Sequence, residues 1–304
     1  MDHISLGKTD SSPKKDLVVG VMSNYDYHKV EPWVVSLKRS GFKGDIAMIC
    51  FNVAYDTIKK LDAQGVQIYA YGQDAAGNTF FNSPRAVVVD RFRALYEFGI
   101  HANWKERYRF IVTTDVKDVI FQDDPTRFLA HHESDGKKIN VGSECLKFKD
   151  EGWGDRNMFE SFPKFVYDVM KEKTIYNCGT ISGSMAEMHD LFLAIYLFSI
   201  GSPCHNPDQA AINILLNMKP WSDITRFCDM QSGYAVQLGT VADPNKLEGF
   251  RPWLLEHKLP AIHEPSGRVF VSDNDGEDKI IPAIVHQYDR IPSWNKIIDA
   301  KYRE

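Results

Sequence analysis

The chain has 304 residues, a formal net charge of −5, and 43% hydrophobic and 25% charged residues. A chain of this length buries roughly 75% of its unfolded surface, so it needs neither disulfides nor a structural metal to fold. Its negative charge gives no general attraction to nucleic acids or anionic membranes, and we expect no nucleic-acid partner.

The cysteine pattern and the length of the apolar runs indicate where in the cell the protein is expected. Five cysteines form no Cys-x-x-Cys pair, and the chain has no Asn-x-Ser/Thr acceptor for glycosylation. Both features favour a reducing environment, so a cytoplasmic location is expected. Residues 1–16 are polar and predict a disordered or polar tail without a signal peptide. No apolar run approaches the length that crosses a bilayer, so no integral membrane segment is expected.

In chain order, β-branched apolar runs alternate with helical patterns up to residue 130. Strands are predicted at residues 17–22, 45–50 and 66–71 and from residue 108, and helices at residues 30–39, 55–64 and 85–100. Residues 72–84 are turn-rich and predict a loop. Right-handed strand–helix–strand units of this kind build a mostly parallel, Rossmann-like sheet flanked by helices. We therefore expect an α/β fold.

The second half of the chain has a less regular pattern. It predicts a strand with a glycine-bearing turn at residues 175–183, an apolar helix at 185–200, a helix from 206 to 218, and a short strand ending at His286. Regions 137–162 and 240–276 have a loop-rich composition, which predicts the variable substrate side. No segment has the composition of a linker, so we expect a single domain over residues 17–304.

Two acidic residues follow the apolar run that begins at residue 108. Asp115 and Asp118 come where this strand is predicted to stop, and ligands of open α/β sheets bind at the carboxyl ends of strands. Two carboxylates there repel each other unless a cation lies between them. The pattern predicts a divalent metal, Mn²⁺ or Mg²⁺, that bridges to phosphate.

The same acidic residues have structural alternatives. Asp115 and Asp118 are also typical of turns at strand ends. An extended chain would turn the two side chains to opposite sides, which would leave Asp115 to hold a ribose or a metal-bound water. Asp123 and Asp124 precede Pro125 and are expected to cap the following short helix.

The order of four motifs resembles that of a known family. The motifs are Asp115-x-x-Asp118, Asn177-Cys178-Gly179, Asp208-Gln209, and His286 with Trp294 eight residues later. This order is similar to that of GT-A fold nucleotide-sugar glycosyltransferases, above all their retaining, glycogenin-like branch. The chain departs from the family pattern because Lys117 lies inside the acidic motif, and Asp289 and Pro292 replace a glycine and a lysine of the C-terminal motif.

The resemblance implies a fold, an activity and a set of site residues. It implies a GT-A domain with a nucleotide-binding half at 17–130 and a donor-sugar and acceptor half at 131–304. The activity would be metal-dependent transfer of a sugar from a nucleoside-diphosphate sugar, UDP rather than GDP, to a glycan or other acceptor hydroxyl, with retention. The implied ligands of the metal are Asp118, His286 and Asp115, the donor-binding residues are Asp115, Arg91, Asn177 and Gly179, and the catalytic residues are Asp208 and Gln209.

Each of these residues also fits a structural role. The alternatives are a surface arginine at Arg91 paired with Asp90 or Glu97, a turn at residues 177–179, a helix cap built by Asn206, Pro207 and Gln209, and a partly exposed polar residue at His286. Candidate acceptor-side groups are Trp253, His257, His263 and the segment 144–157, which contains Trp153 and Asp155. An inverting enzyme would take its base from Glu144, Asp150, Glu151 or Asp155.

Rival classes share some of these features. A metal-dependent phosphatase or hydrolase would also cluster aspartates, although Lys117-Asp118 breaks the expected Asp-x-Asp pattern. A sugar nucleotidyltransferase would need a Gly-rich, basic loop near the N-terminus, which residues 23–26 do not supply. A non-catalytic sugar-binding module would not require so many acids at strand ends.

Overall fold

The computed structural model describes residues 13–71, 87–243, 260–272 and 278–303. The strands of this part of the chain are β1 (Lys15–Ser23), β2 (Asp45–Phe51), β3 (Gln67–Tyr71), β4 (Tyr108–Thr114), β5 (Val119–Phe121), β6 (Ile139–Lys147), β7 (Thr174–Ser184), β8 (Thr225–Cys228), β9 (Ala235–Gln237), β10 (Ala261–His263), β11 (Arg268–Ser272), β12 (Lys279–Ile280) and β13 (Ile284–His286). The predicted loop at 72–84 lies outside the described residues.

Helices cover the sheets. They are α1 (Tyr27–Arg39), α2 (Tyr55–Ala63), α3 (Val87–His101), α4 (Trp104–Arg107), α5 (Pro125–His131), α6 (Gly152–Ser161), α7 (Lys164–Met170), α8 (Met185–Ser199), α9 (Asp208–Leu216), α10 (Trp221–Ile224), α11 (Leu238–Val241) and a C-terminal helix, Pro292–Tyr302. Among the described residues, no helix is long and apolar enough to cross a membrane.

Within the described ranges, a seven-stranded sheet in the order β3-β2-β1-β4-β7-β6-β8 forms the centre of one mixed α/β domain. Strands β3, β2, β1 and β4 run parallel, as do β6 and β8, whereas β7 runs antiparallel to both of its neighbours. The prediction of a mostly parallel, Rossmann-like sheet flanked by helices is therefore confirmed at this level.

Two predictions of local structure are wrong. Residues 175–183 contain no turn, because β7 runs unbroken from Thr174 to Ser184 and is held between β4 and β6. Residues 137–162 are not loop-rich, since they form β6 and α6. In both regions, the polar and glycine residues that indicated loops lie instead on strands or a helix. These elements border a cavity that is described below.

A small second sheet, β5-β13-β9, determines where the polar residues of the site meet. Strand β13 pairs antiparallel with β5, which places His286 opposite Val119, the residue after Asp118. On its other side β13 pairs in parallel with β9, which places His286 opposite Gln237. The register of three short strands thus brings together residues that are far apart in the sequence.

The first helix fixes the end of β4. Trp33 on α1 is fully buried and donates its indole N–H to Oγ1 of Thr114, the last residue of β4, at 2.8 Å. Val116 is buried in the same core and lies where a Cβ on Gly20 would stand, 2.3 Å from that position. Because Gly20 on β1 carries no side chain, the chain after β4 can bend inward at Val116.

Candidate metal centre and its cavity

Three side chains form a group with the spacing of a metal site. One carboxylate oxygen each of Asp115 and Asp118 and a ring nitrogen of His286 lie within 4.8 Å of one another. Nε2 of His286 is 3.5 Å from Oδ2 of Asp115 and 3.6 Å from Oδ1 of Asp118. Ligands on opposite sides of a divalent ion with bonds of about 2.1 Å would be about 4.2 Å apart, so one ion fits this group after small adjustments.

The bend after β4 corrects the expectation that Asp115 and Asp118 point to opposite sides. Residues 116–118 leave the extended conformation, and Val116 turns into the core. Asp118 is then held beside His286 because the backbone N–H of Gln287 donates to the Asp118 carbonyl at 2.8 Å. The structure therefore groups Asp115 with Asp118 and His286.

His286 is buried and held in one orientation, not partly exposed. Its side chain is 2% exposed, and Nδ1 lies 2.6 Å from Oε1 of Gln237. Nε2 of Gln237 donates in turn to Oγ1 of Thr180 at 2.7 Å, which leaves the Gln237 oxygen toward the ring. Nδ1 is then the protonated nitrogen, and Nε2 faces the two carboxylates. A metal-binding histidine has this arrangement, in which a second-shell acceptor fixes the ring.

The charges in this group perturb one another. Burial lowers the pKa of His286, but the carboxylates of Asp118 and Asp115 raise it to about 10. Burial raises the pKa of Asp115, whereas Arg91 and His286 lower it by more and hold it below its usual range. An ionised carboxylate and a cation at Nε2, either a proton or a metal ion, therefore stabilise each other.

Arg91 is a buried bridge between two carboxylates, not a surface residue. Its NH1 lies 2.5 Å from Oδ1 of Asp115, and its NH2 donates to Oδ2 of Asp208 at 2.9 Å. Arg93, two residues later on α3, is the arginine that lies near Asp90 and Glu97. Arg91 thus links the metal group to the first residue of α9, and both of these contacts are to protein carboxylates.

A second polar network is centred on Glu144 of β6. Oε1 of Glu144 accepts hydrogen bonds from Nδ2 of Asn177 at 2.7 Å and from Nε2 of Gln209 at 2.9 Å. Oε1 of Gln209 accepts from the backbone N–H of Cys178, and Oδ1 of Asn177 accepts from the N–H of Gly179. These bonds hold the 177–179 segment against the start of α9.

The helix cap that was the structural alternative for residues 206–209 does not form in that way. Pro207, not Asn206, is the cap residue of α9, and no side chain caps the helix. Gln209 does not close a capping box because its amide is used by Glu144 and Cys178. The local sequence pattern was that of a helix cap, but the Gln209 side chain forms hydrogen bonds with distant segments instead. The caps predicted before Pro125 are present: Asp124 accepts from the backbone N–H of Thr126.

Gly179 lies where a side chain would not fit. A Cβ at this position would be 2.6 Å from Oδ2 of Asp115, 2.7 Å from Cε1 of His286 and 2.9 Å from Oδ1 of Asn177. The backbone of β7 therefore forms one wall of the metal group. The N–H of Asp115 also donates to the Gly179 carbonyl at 2.9 Å, which ties the two segments together.

Asp115 and His286 of the metal group and the residues of the Glu144 network line one cavity of about 530 Å³, whereas Asp118 and Gly179 are not among its lining residues. Of the predicted site residues, those that line it are Asp115, Arg91, Asn177, Asp208, Gln209 and His286. Asp208 is buried and Cys178 is partly buried in the wall, and burial raises the pKa of both groups. Cys178 Sγ lies 3.3 Å from Oδ2 of Asp208, so it acts there as a neutral thiol.

The structure places only some of the candidate acceptor-side residues at the cavity. Trp153 lines the cavity with its side chain half exposed, whereas Asp155 accepts a hydrogen bond from Tyr167. His263 is exposed and lies 2.7 Å from Ser266 through Nδ1, outside the cavity lining. Trp253 and His257 lie outside the described residues.

Two residues of the site were missed by sequence reasoning. Gln237 ends a short buried run of apolar residues, and a polar residue in that position is a weak signal of a buried hydrogen-bond partner. Glu144 was considered as a possible base and as part of an acceptor-side segment, whereas it anchors Asn177 and Gln209. Neither role could be found without knowing which strands are neighbours.

A larger cavity of about 1020 Å³ lies elsewhere, between α7, α8 and α9. Its lining is mostly apolar and includes Phe165, Val169 and Phe198. It contains none of the predicted site residues. We place the functional site in the smaller cavity because ionised and hydrogen-bonded groups converge there.

Two of the three departures from the family motifs, Lys117 and Asp289, contact each other. Nζ of Lys117 lies 2.9 Å from Oδ2 of Asp289. This ion pair joins the segment that carries Asp115 and Asp118 to the segment that follows His286.

No known family model matches the sequence, and no curated protein is similar enough to match.

Proposed function

We propose that the protein is a metal-dependent glycosyltransferase of the GT-A type. It would move a sugar from a nucleoside-diphosphate sugar, UDP rather than GDP, to a hydroxyl of a glycan or other acceptor. The observation that supports the proposal is that Asp115, Asp118 and His286 converge in one group, and that Asp115 and His286 of this group line the same cavity as Asp208 and Gln209. These residues come from the motifs whose order resembles that family.

The chemistry of the donor set fits a divalent cation. Two carboxylate oxygens and one imidazole nitrogen form a mixed oxygen and nitrogen set, which suits Mn²⁺ and is compatible with Mg²⁺ if more oxygen ligands come from the substrate. The buried Nε2 of His286 has no protein partner closer than 3.5 Å among the described residues. A bound cation would neutralise the charge that grows on the leaving diphosphate.

The residues around the proposed metal position would have separate roles in the reaction. Arg91 holds Asp115 and Asp208 in place and balances their charge. Asp208 presents a carboxylate to the cavity and would stabilise positive charge that develops at the anomeric carbon of the sugar. Asn177 and Gln209, fixed by Glu144, would hydrogen-bond the hydroxyls of the donor sugar.

Retention of the anomeric configuration is part of the proposal. The motif order supports it through the likeness to the glycogenin-like branch. An inverting reaction would need a carboxylate base on the acceptor side, and Glu144 is already bonded to two amides.

The test is release of nucleoside diphosphate from a panel of nucleotide sugars with Mn²⁺. The wild-type protein should release the diphosphate from one donor and depend on the metal. Asp118→Ala should abolish this release, while Asp123→Ala, which removes an exposed acid near a helix start, should not. Release of phosphate from simple phosphomonoesters, with none from any nucleotide sugar, would favour a phosphatase and overturn the proposal.

A further inference from the structure

Apart from the proposed metal ligand His286, the cavity lining has few positive charges for an anionic ligand. Its lining among the described residues includes the carboxylates of Asp115, Glu144, Glu151, Asp208 and Asp243. Only two arginines line it in the same ranges, Arg91 and Arg290. Arg91 is bonded to Asp115 and Asp208, so its charge is already balanced. A diphosphate would therefore meet one arginine that is still available.

Arg290 is close to the metal group along the chain and in space. It ends a short 3-10 helix, Tyr288–Arg290, that begins two residues after His286. The backbone N–H of Arg290 donates to the Gln287 carbonyl at 3.2 Å, and Gln287 in turn bonds to Asp118. These bonds fix the base of the Arg290 side chain beside the metal ligands.

The guanidinium of Arg290 is free to meet a ligand. The side chain is 54% exposed, and its nearest carboxylate within the described ranges is Asp289, whose Oδ1 is 3.7 Å from Nε. That distance is too long for a hydrogen bond, so the terminal nitrogens keep their donors. A planar guanidinium with free donors matches the oxygens of a phosphate group in a bidentate way.

Lys117 provides an internal comparison. It is 48% exposed and also pairs with Asp289, with Nζ 2.9 Å from Oδ2. It is not part of the cavity lining. The two cations thus share a partner and have similar exposure, but only Arg290 faces the cavity.

We infer that Arg290 binds the phosphate oxygens of the ligand whose diphosphate lies at the metal group. The inference rests on the proposed function, because it takes the ligand to be a diphosphate. Arg290 is then a binding residue for the leaving group, and its contact is direct rather than through the metal ligands.

The test uses calorimetry with two probes, Mn²⁺ alone and the preformed complex of Mn²⁺ with inorganic pyrophosphate. The variants are Arg290→Gln, Arg290→Lys and, as the matched control, Lys117→Gln, which removes the same charge beside the same aspartate. We expect Arg290→Gln to weaken binding of the complex about tenfold or more and to leave binding of Mn²⁺ alone unchanged. Arg290→Lys should recover part of the loss, and Lys117→Gln should bind the complex like the wild type.

The remaining outcomes distinguish failure of the inference about Arg290 from failure of the proposed function. If Arg290→Gln binds the complex as well as the wild type, or if Lys117→Gln weakens it equally, the inference is overturned and the proposed function is untouched. A loss of binding of Mn²⁺ alone in Arg290→Gln would overturn it too, since the residue would then act through the metal. If the wild-type protein binds Mn²⁺ but not the pyrophosphate complex, the proposed function fails, and the inference fails with it.

Discussion

Nδ1 of His286 lies 2.6 Å from Oε1 of Gln237, on the neighbouring strand of the small sheet. The contact fixes the imidazole so that Nε2 faces Asp115 and Asp118. A buried ring without this acceptor could rotate or change its protonated nitrogen. The Gln237 side chain therefore prepares a metal ligand without touching the metal position.

Gln237→Ala should weaken Mn²⁺ binding about tenfold to a hundredfold, because second-shell partners of metal-binding histidines have effects of this size. Calorimetric titration with Mn²⁺ would measure it. Gln122→Ala is the matched control, since Gln122 is also buried but bonds to backbone groups of Val269 and Pro282. Equal losses in the two variants would show that Gln237 acts only through the stability of the fold.

Binding of Mn²⁺ should strengthen as the pH rises. Burial lowers the pKa of His286, but the nearby carboxylates raise it to about 10, so the metal-free imidazole is protonated at neutral pH. A metal ion must displace that proton, and the apparent affinity should rise about tenfold per pH unit between about pH 6 and 8. Calorimetry in buffers with different ionisation enthalpies should detect about one proton released per ion bound. Affinity that does not change with pH would contradict the assignment of Nε2 as a ligand.

Gly179→Ala should weaken metal binding. The added Cβ would stand within 3 Å of Asp115 Oδ2 and His286 Cε1 and force the ligands apart. We expect an affinity for Mn²⁺ that is at least about tenfold weaker, by the same calorimetric titration. Gly201→Ala is the control, because nothing lies within 4 Å of a Cβ at that position. Normal metal affinity in Gly179→Ala would mean that the metal lies elsewhere.

Arg91→Leu should destabilise the fold more than a typical surface change. Arg91 is mostly buried and balances the carboxylates of Asp115 and Asp208, so its loss leaves the buried Asp208 carboxylate without its cation and leaves Asp115 with His286 alone. The expected cost in the free energy of unfolding is about 3–5 kcal/mol, measured by urea denaturation without metal. Arg93→Leu, on the same helix, should cost at most about 1 kcal/mol, since its ion pairs are partly exposed and 3.9–4.0 Å long. Similar losses in both variants would contradict the bridging role.

The sequence predicted most of the sheet because its signals are local. Apolar, β-branched runs such as that of β1, and the helical pattern of α1 or α8, depend on neighbouring residues, and these elements are present. The acidic residues after β4 could also be identified from their position at a strand end. Their resemblance to family motifs added His286 and Asp208, which the structure brings to the same cavity.

The features that the sequence did not predict depend on contacts between segments that are far apart in the chain. The pairing of β13 with β5 joins His286 to Val119, and no local pattern specifies that register. The bend at Val116 arises because Gly20 on another strand leaves space for it. Gln209 matched a helix cap in the sequence but bonds to Glu144, which lies 65 residues away. Such choices are decided by tertiary packing, so they were predicted wrongly or missed.

The central claim is that Asp118 and His286 hold a cation that anchors the diphosphate of a sugar donor. The most direct measurement is a thermal-shift screen of nucleotide sugars, each with and without Mn²⁺. A donor at a hundred times its dissociation constant should add about 2.7 kcal/mol to the stability of the folded state. We expect a rise in melting temperature that needs both Mn²⁺ and one particular donor, and that disappears in His286→Ala. A rise of the same size without the metal, or one that His286→Ala retains in full, would contradict the claim.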